Sequence, residues 1–65
     1  MYPNLKAEMA RRDITNRILS EKIGMPLTSF YDKIAGRKQF TLRECMKIKE
    51  FFGNEFTIEY LFATK

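Results

Sequence analysis

The sequence predicts an all-α protein, folded as a compact bundle of about five short helices. One observation is an apolar spacing of four residues, at Leu19 and Ile23 and again at Phe30 and Ile34, which places each pair on one face of a helix. A second is that each of the three glycines directly follows a predicted helix, where helices end through a left-handed residue. A third is Thr41 with a glutamate three residues later, the pattern of a capping box that starts a helix.

The first helix is predicted from a cap at Asn4 to about Arg12, with Leu5 and Met9 facing the core. Glu8 and Arg12 are four residues apart, and we expect them to form an ion pair on the solvent side of this helix.

Helices two and three are predicted over about 16–23 and 27–35, joined by a tight turn at 24–26. Thr15 is a favourable N-cap for helix two. Pro26 suits the start of helix three because its fixed φ is compatible with a first-turn position, but it cannot supply a side-chain cap.

Helix four begins at Thr41 and ends at Gly53. The apolar residues assigned to it are Leu42, Cys45, Met46, Ile48 and Phe52, with Phe51 alongside. Residues 56–62 are predicted as a fifth short helix capped by Thr57. A strand is the alternative there, because apolar residues also alternate with period two over this stretch.

Length and composition indicate one small domain, predicted to span residues 1–65. The chain is 45% hydrophobic, with 3 Tyr and 6 Phe, which is enough for one core. One cysteine and no histidine exclude an intrachain disulfide, argue against a zinc site and indicate a reducing compartment. No apolar run approaches the roughly 18 residues of a membrane span, and the N-terminus lacks the apolar segment of a signal peptide. We therefore expect a soluble cytoplasmic protein without a metal or cofactor.

The positive charge is unevenly distributed along the chain. Residues 1–26 carry five bases and three acids, residues 27–39 three bases and one acid, and residues 40–65 four of each. The formal charge of +4 therefore lies entirely in residues 1–39. A polyanion such as nucleic acid would bind there with release of counterions, although small domains also carry spare lysines that serve only solubility.

The sequence offers little for catalysis. It has no histidine for acid–base chemistry, and its glycines lie at helix ends rather than in a phosphate-binding loop. Cys45 has the apolar phase of helix four, which favours a small core residue over a nucleophile. We expect that the protein is not an enzyme.

A set of residues within about 4–62 carries a family resemblance. The matching residues are Leu19-Ser20-Glu21-Lys22-Ile23-Gly24, Phe30, Gly36-Arg37-Lys38 and Thr41-Leu42. This set resembles the helix-turn-helix of the Cro/repressor-type (XRE-like) DNA-binding family. The chain departs from that family at Ser20, where alanine is usual, and at Pro26, where a Ser or Thr cap is usual.

The resemblance implies a sequence-specific DNA-binding transcriptional regulator of repressor type, similar to small phage or prophage regulators, whose partner is double-stranded DNA. Proteins of this kind commonly bind paired half-sites as dimers. We therefore expect a homodimer through the C-terminal region, which is rich in aromatic residues. These are Phe51, Phe56, Tyr60 and Phe62.

Helical phase selects the residues that would read bases. If Phe30 and Ile34 face the core, a step of 100° per residue places the opposite side of helix three toward the major groove. The predicted base-reading residues are Leu27, Thr28, Tyr31 and Asp32. None of them is Gln, Asn or Arg, the residues best suited to bidentate base contacts. Specificity is therefore expected to depend on DNA shape or on residues outside this helix.

Phosphate contacts are predicted from the residues around this helix. The resemblance implies that the position of Asn16 and the loop after Gly36 flank the groove. The candidates are Asn16, Arg17, Ser29, Lys33, Arg37 and Lys38. An alternative remains open, in which the chain keeps the helix-turn-helix fold but acts as a protein-interaction module, with a toxin or polymerase partner and little or no DNA binding.

Overall fold

Five α-helices make up the fold. The computed structural model describes residues 1–64, and these contain no strand. The helices are α1 (Pro3–Arg11), α2 (Asn16–Lys22), α3 (Leu27–Ile34), α4 (Leu42–Phe51) and α5 (Ile58–Leu61). They form a bundle of 26 × 22 × 21 Å. The predicted all-α class is confirmed, and the strand alternative for residues 56–62 is wrong because Thr57 caps a helical turn there.

Local hydrogen bonds explain where three of the helices begin. The Thr15 hydroxyl accepts a hydrogen bond from the Ile18 amide at 3.1 Å. Thr41 and Glu44 bond reciprocally, each side chain to the other's amide, at 3.1 and 2.9 Å. The Thr57 hydroxyl accepts from the Tyr60 amide at 3.0 Å. Each bond satisfies an amide that would otherwise lack a partner in a first helical turn, so all three predicted caps are confirmed.

The start of α1 differs from the prediction. The helix begins at Pro3, after Tyr2 in a left-handed conformation with φ 58°, because proline suits the first helical position. Asn4 therefore lies inside the helix and is not its cap. Its side-chain amide donates instead to the backbone carbonyl of Tyr60 at 2.9 Å, which joins α1 to α5.

The core forms where the apolar sides of the helices meet. It contains the predicted pairs from α2 and α3 together with residues of the other helices. The buried apolar residues are Tyr2, Leu5, Met9, Leu19, Ile23, Phe30, Ile34, Cys45, Ile48, Phe52 and Leu61. Aromatic rings close one side of it, with Phe40 edge-to-face on Tyr2 at 5.5 Å and on Phe62 at 5.3 Å between ring centroids.

Glu8 is the point at which the C-terminal segment is attached to α1. Its carboxylate accepts from Arg12 at 2.8 Å, as expected, and also from Arg11 at 2.6 Å and from the Tyr60 hydroxyl at 2.7 Å. The residue is only 4% exposed, so the prediction that this pair lies on the solvent side is wrong. The reason is tertiary, because α5 packs over this side of α1.

Arg12 continues this connection to the segment between α4 and α5. Its guanidinium donates to Glu55 at 3.0 Å and lies over the rings of Phe52 and Phe56, at 5.4 and 5.1 Å from their centroids. The hydrogen bond from the Tyr60 hydroxyl, followed by that from Arg12, holds the pKa of Glu8 below its ordinary value.

Phe51, Phe56 and Phe62 also pack against the core, so most aromatics of the C-terminal region are not available for a contact with a second copy of the chain.

The apolar residues of α4 divide into two groups. Cys45, Ile48 and Phe52 are buried, as predicted. Leu42 and Met46 are not part of the core, since they are 69% and 48% exposed on the outer side of the helix. Separately, none of the helices within residues 1–64 is long and apolar enough to cross a membrane.

Candidate nucleic-acid interface

The outer side of α3 faces away from the core. Phe30 is fully buried and Ile34 nearly so, where α3 packs on α2. Thr28 is exposed on the opposite side, and Tyr31 is 46% exposed beside it. This orientation follows from the four-residue spacing of the two buried side chains.

The remaining two predicted base-reading residues are partly covered. Leu27 is half-buried at the start of α3, and Asp32 is half-buried in its last turns. The four predicted base-reading residues nevertheless lie outside the core, along a helix that begins at Leu27 without a side-chain cap.

Asp32 and Arg37 form a pair across the end of α3. The Arg37 Nε donates to the Asp32 carboxylate at 3.0 Å. The backbone amides of Arg37 and Lys38 donate to the backbone carbonyl of Asp32 at 2.9 and 3.2 Å. Gly36, with φ +87°, turns the chain so that these bonds can form. The loop that carries two predicted phosphate contacts is therefore attached to a predicted base-reading residue.

The sequence predicts separate roles for Asp32, as a base contact, and for Arg37, as a phosphate contact, and does not predict that they pair. The sequence feature that could have indicated the ion pair is their opposite charge on either side of the turn at Gly36. The pairing matters for nucleic-acid binding because the carboxylate partly neutralises the guanidinium that would meet a phosphate.

Lys33 faces a different direction from the other predicted phosphate contacts. Its ammonium donates to both carboxylate oxygens of Glu44, each at 2.7 Å, and its side chain is only 16% exposed. Burial raises the pKa of Glu44, but the bonds from Lys33 and Thr41 outweigh burial, so the pKa is lowered overall. Lys33 thus joins α3 to α4, and Ser29 lines the same hollow between these helices.

Three predicted phosphate contacts present their charge to solvent. Arg17 in the first turn of α2 is exposed, as are Arg37 and Lys38 in the loop after α3. Asn16 is half-buried at the first position of α2. The exposed cations therefore come from two chain segments, one before and one after α3.

Other chemistry has little support among these side chains. Residues 1–64 contain no group of three or more His, Cys, Asp or Glu side chains that could hold a metal ion. Burial raises the pKa of the Cys45 thiol above its ordinary value of 9.0, which keeps it protonated and weakly nucleophilic at neutral pH.

Comparisons of this chain with protein-family models, with characterised proteins and with solved structures return no match. The interpretation of the site therefore depends on its own geometry and charge.

Proposed function

We propose that this protein is a sequence-specific DNA-binding transcriptional regulator of repressor type, acting in the cytoplasm, and not an enzyme. The observation that carries the proposal is the outer side of α3, which lies outside the core between segments that bear exposed cations. A helix of this kind fits the major groove, which admits an α-helix with its side chains directed at base edges.

Each side chain on this face has a chemistry suited to base edges. Leu27 can pack on a thymine methyl group, and the Thr28 hydroxyl can donate or accept a hydrogen bond. Tyr31 offers a ring and a hydroxyl from the middle of the helix. Asp32 can accept from a cytosine amine and disfavours bases that present only acceptors, so it contributes by exclusion as well as by contact.

The phosphate contacts in this proposal are Arg17, Arg37 and Lys38, with Asn16 as a neutral hydrogen-bond donor. Lys33 is left out because Glu44 already neutralises its charge. A few contacts from one copy provide modest affinity, so the proposal includes two copies bound to paired half-sites.

Selection of bound duplexes from a random pool tests this proposal. At a low salt concentration of about 50 mM, where phosphate contacts are strong, we expect enrichment of a short motif, repeated as two half-sites about one helical turn apart. Binding without any enriched motif would refute sequence-specific regulation.

The alternative function, a protein-interaction module, is favoured by one observation. Asp32 places a negative charge on the proposed DNA face and bonds to Arg37. The Asp32→Asn variant separates the two functions. If the face binds DNA, the variant should bind a random duplex more tightly, because Arg37 is released and one repulsion of phosphate is removed. If neither the wild type nor the variant binds a random duplex at low salt, the interaction module is the better account.

A further inference from the structure

The bond between Arg37 and Asp32 brings a guanidinium onto the outer side of α3. Asp32 stands two residues after Phe30 and two before Ile34, so a step of about 100° per residue places it about 160° around the helix from both buried side chains. Its carboxylate accepts from the Arg37 Nε at 3.0 Å. The guanidinium therefore lies on the surface proposed to enter the major groove, although Arg37 belongs to the loop after α3.

The backbone of this loop limits where the Arg37 side chain can go. The amides of Arg37 and Lys38 both donate to the backbone carbonyl of Asp32, and Gly36 turns the chain with a positive φ. The main chain and the side chain of Arg37 are thus attached to the same residue of α3. An arginine held in this way loses little conformational freedom when it binds a ligand.

The bond through Nε leaves the outer end of the guanidinium available to a ligand. A guanidinium carries its N–H donors in a planar fork, and among residues 1–64 no acceptor other than Asp32 bonds to that of Arg37. The side chain is 65% exposed. Adjacent donors on its two terminal nitrogens match the two acceptors, O6 and N7, that guanine presents in the major groove.

Charge favours a base over a phosphate as the specific ligand of this pair. The Asp32 carboxylate cancels part of the Arg37 charge, which weakens the attraction to a phosphate but leaves the direction of the N–H donors unchanged. The edge of guanine is uncharged, and it is recognised by the direction of hydrogen bonds. The predicted base-reading residues of α3 include no Gln, Asn or Arg, so Arg37 supplies the bidentate donor that they lack.

We infer that Arg37 reads a guanine in the major groove, and that Asp32 is the positioning residue that holds its guanidinium on the outer side of α3. The inference rests on the proposed DNA-binding function, and it names the base required at one position of each half-site. On a duplex without guanine at that position, the same guanidinium contacts a backbone phosphate, which is the role proposed for it above. The bond uses only the Oδ1 atom of Asp32, so Oδ2 remains able to accept from a cytosine amine.

Base analogues in a duplex selected from the random pool test this contact. 7-Deazaguanine lacks the N7 acceptor of guanine, whereas inosine keeps O6 and N7 and lacks only the amine in the minor groove. Each guanine of the enriched half-site is replaced in turn by either analogue, and binding of the full chain is measured by fluorescence anisotropy. We expect one guanine at which 7-deazaguanine weakens wild-type binding about tenfold, the scale of a hydrogen bond to a charged group, while inosine leaves binding unchanged.

Two variants of the loop assign the contact to Arg37. Arg37→Ala should bind the guanine and 7-deazaguanine duplexes equally, because the donor is gone. Lys38→Ala is the matched control, since it removes the same charge from the same loop, and it should keep the wild-type difference between the two duplexes. The inference is overturned if no guanine responds to 7-deazaguanine in the wild type, if Arg37→Ala keeps the difference, or if Lys38→Ala loses it equally.

Asp32→Ala tests the positioning role. It releases Arg37, so the affinity for a random duplex should rise and its salt dependence should steepen, while the difference between guanine and 7-deazaguanine decreases. A residue that only stabilises the fold would not move these quantities in opposite directions, and an Asp32→Ala chain that keeps the full difference contradicts the positioning role. Failure of the proposed function has a separate signature, because the wild type then binds no duplex or enriches no motif, whereas an enriched motif without an N7-dependent guanine contradicts the role of Arg37 alone.

Discussion

Removal of the two exposed bases in the loop after α3 should flatten the salt dependence of DNA binding. The double variant Arg37→Ala, Lys38→Ala takes away two of the three exposed cations assigned to phosphates, leaving Arg17. Both side chains lie outside the core, and the backbone bonds that hold the loop to Asp32 do not involve them. The variant is therefore expected to fold normally.

The size of the effect follows from the number of phosphates neutralised. The logarithm of the binding constant falls by about 0.9 per phosphate for each tenfold rise in salt, so three contacts give a slope of about −2.7 and one contact a slope of about −0.9. Between 50 and 200 mM salt the wild-type affinity per copy should fall about 40-fold, and that of the double variant only about 3.5-fold. The pairing of Arg37 with Asp32 makes the wild-type slope and fold-change upper bounds, because part of the Arg37 charge is already neutralised.

Fluorescence anisotropy with a labelled random duplex, repeated at four or more salt concentrations, measures both slopes. The matched control is Lys22→Ala, Lys47→Ala, which removes the same charge from exposed bases lining a hollow on the side of α2 and α4. If the control flattens the slope as much as the double variant, the effect belongs to net charge and the loop makes no specific contact. An unchanged slope in the double variant would refute the assignment of these residues.

Three further substitutions test single features of the structure. Thr28→Ala should change the preference among sequences by about 1 kcal/mol, the scale of one base contact, with little effect on random duplex; competition binding measures this. Thr41→Ala removes the capping box of α4, which should cost about 1 kcal/mol of stability and lower Tm by about 4–8 °C. Glu8→Gln should make unfolding less sensitive to acid. The folded state lowers the pKa of Glu8, so the ionised carboxylate stabilises the fold at neutral pH, and this stabilisation is lost as the pH falls below the ordinary value of 4.5. Urea unfolding between neutral pH and about pH 3 measures the loss.

Two of these variants, Thr41→Ala and Glu8→Gln, have a control in the same chain. Thr64→Ala is a threonine substitution at an exposed site outside the helices, and it should leave Tm unchanged. Glu59→Gln alters an exposed carboxylate of α5, and it should retain the acid sensitivity of the wild type. Equal losses by Thr28→Ala on preferred and random duplexes would show that this residue does not read bases.

The fold was predictable where its signals are local. The caps at Thr15, Thr41 and Thr57 depend on residues three positions apart, so they could be identified from the sequence and are confirmed. The burial of Phe30 and Ile34 was predictable for the same reason, because one turn of helix defines a face. The start of α1 was missed because the prediction gave Asn4 its ordinary preference as a cap, whereas the proline before it begins the helix.

Features that depend on distant segments were not predictable. Glu8 is buried only because α5 and the residues before it lie over α1, and no local pattern shows which side of a helix another segment will cover. Leu42 and Met46 are a different case. A step of about 100° per residue puts them to one side of the stripe formed by Cys45, Ile48 and Phe52, so helical phase alone could have separated them from the core.

At the site, the contact of Lys33 with Glu44 joins two helices and redirects one predicted phosphate contact. The pair of Arg37 with Asp32 is local, because the two residues are on either side of the turn at Gly36, and it could have been inferred from their opposite charges.

The central claim is that a DNA duplex binds to the outer side of α3. Amide chemical-shift mapping of the ¹⁵N-labelled chain with a duplex selected from the random pool, at low salt, tests this most directly. The predicted result is that the largest shifts occur in residues 27–32 and at Arg37 and Lys38, with small shifts in α5. The largest shifts in α4 or α5 with none in α3, or no shifts at all, would contradict it.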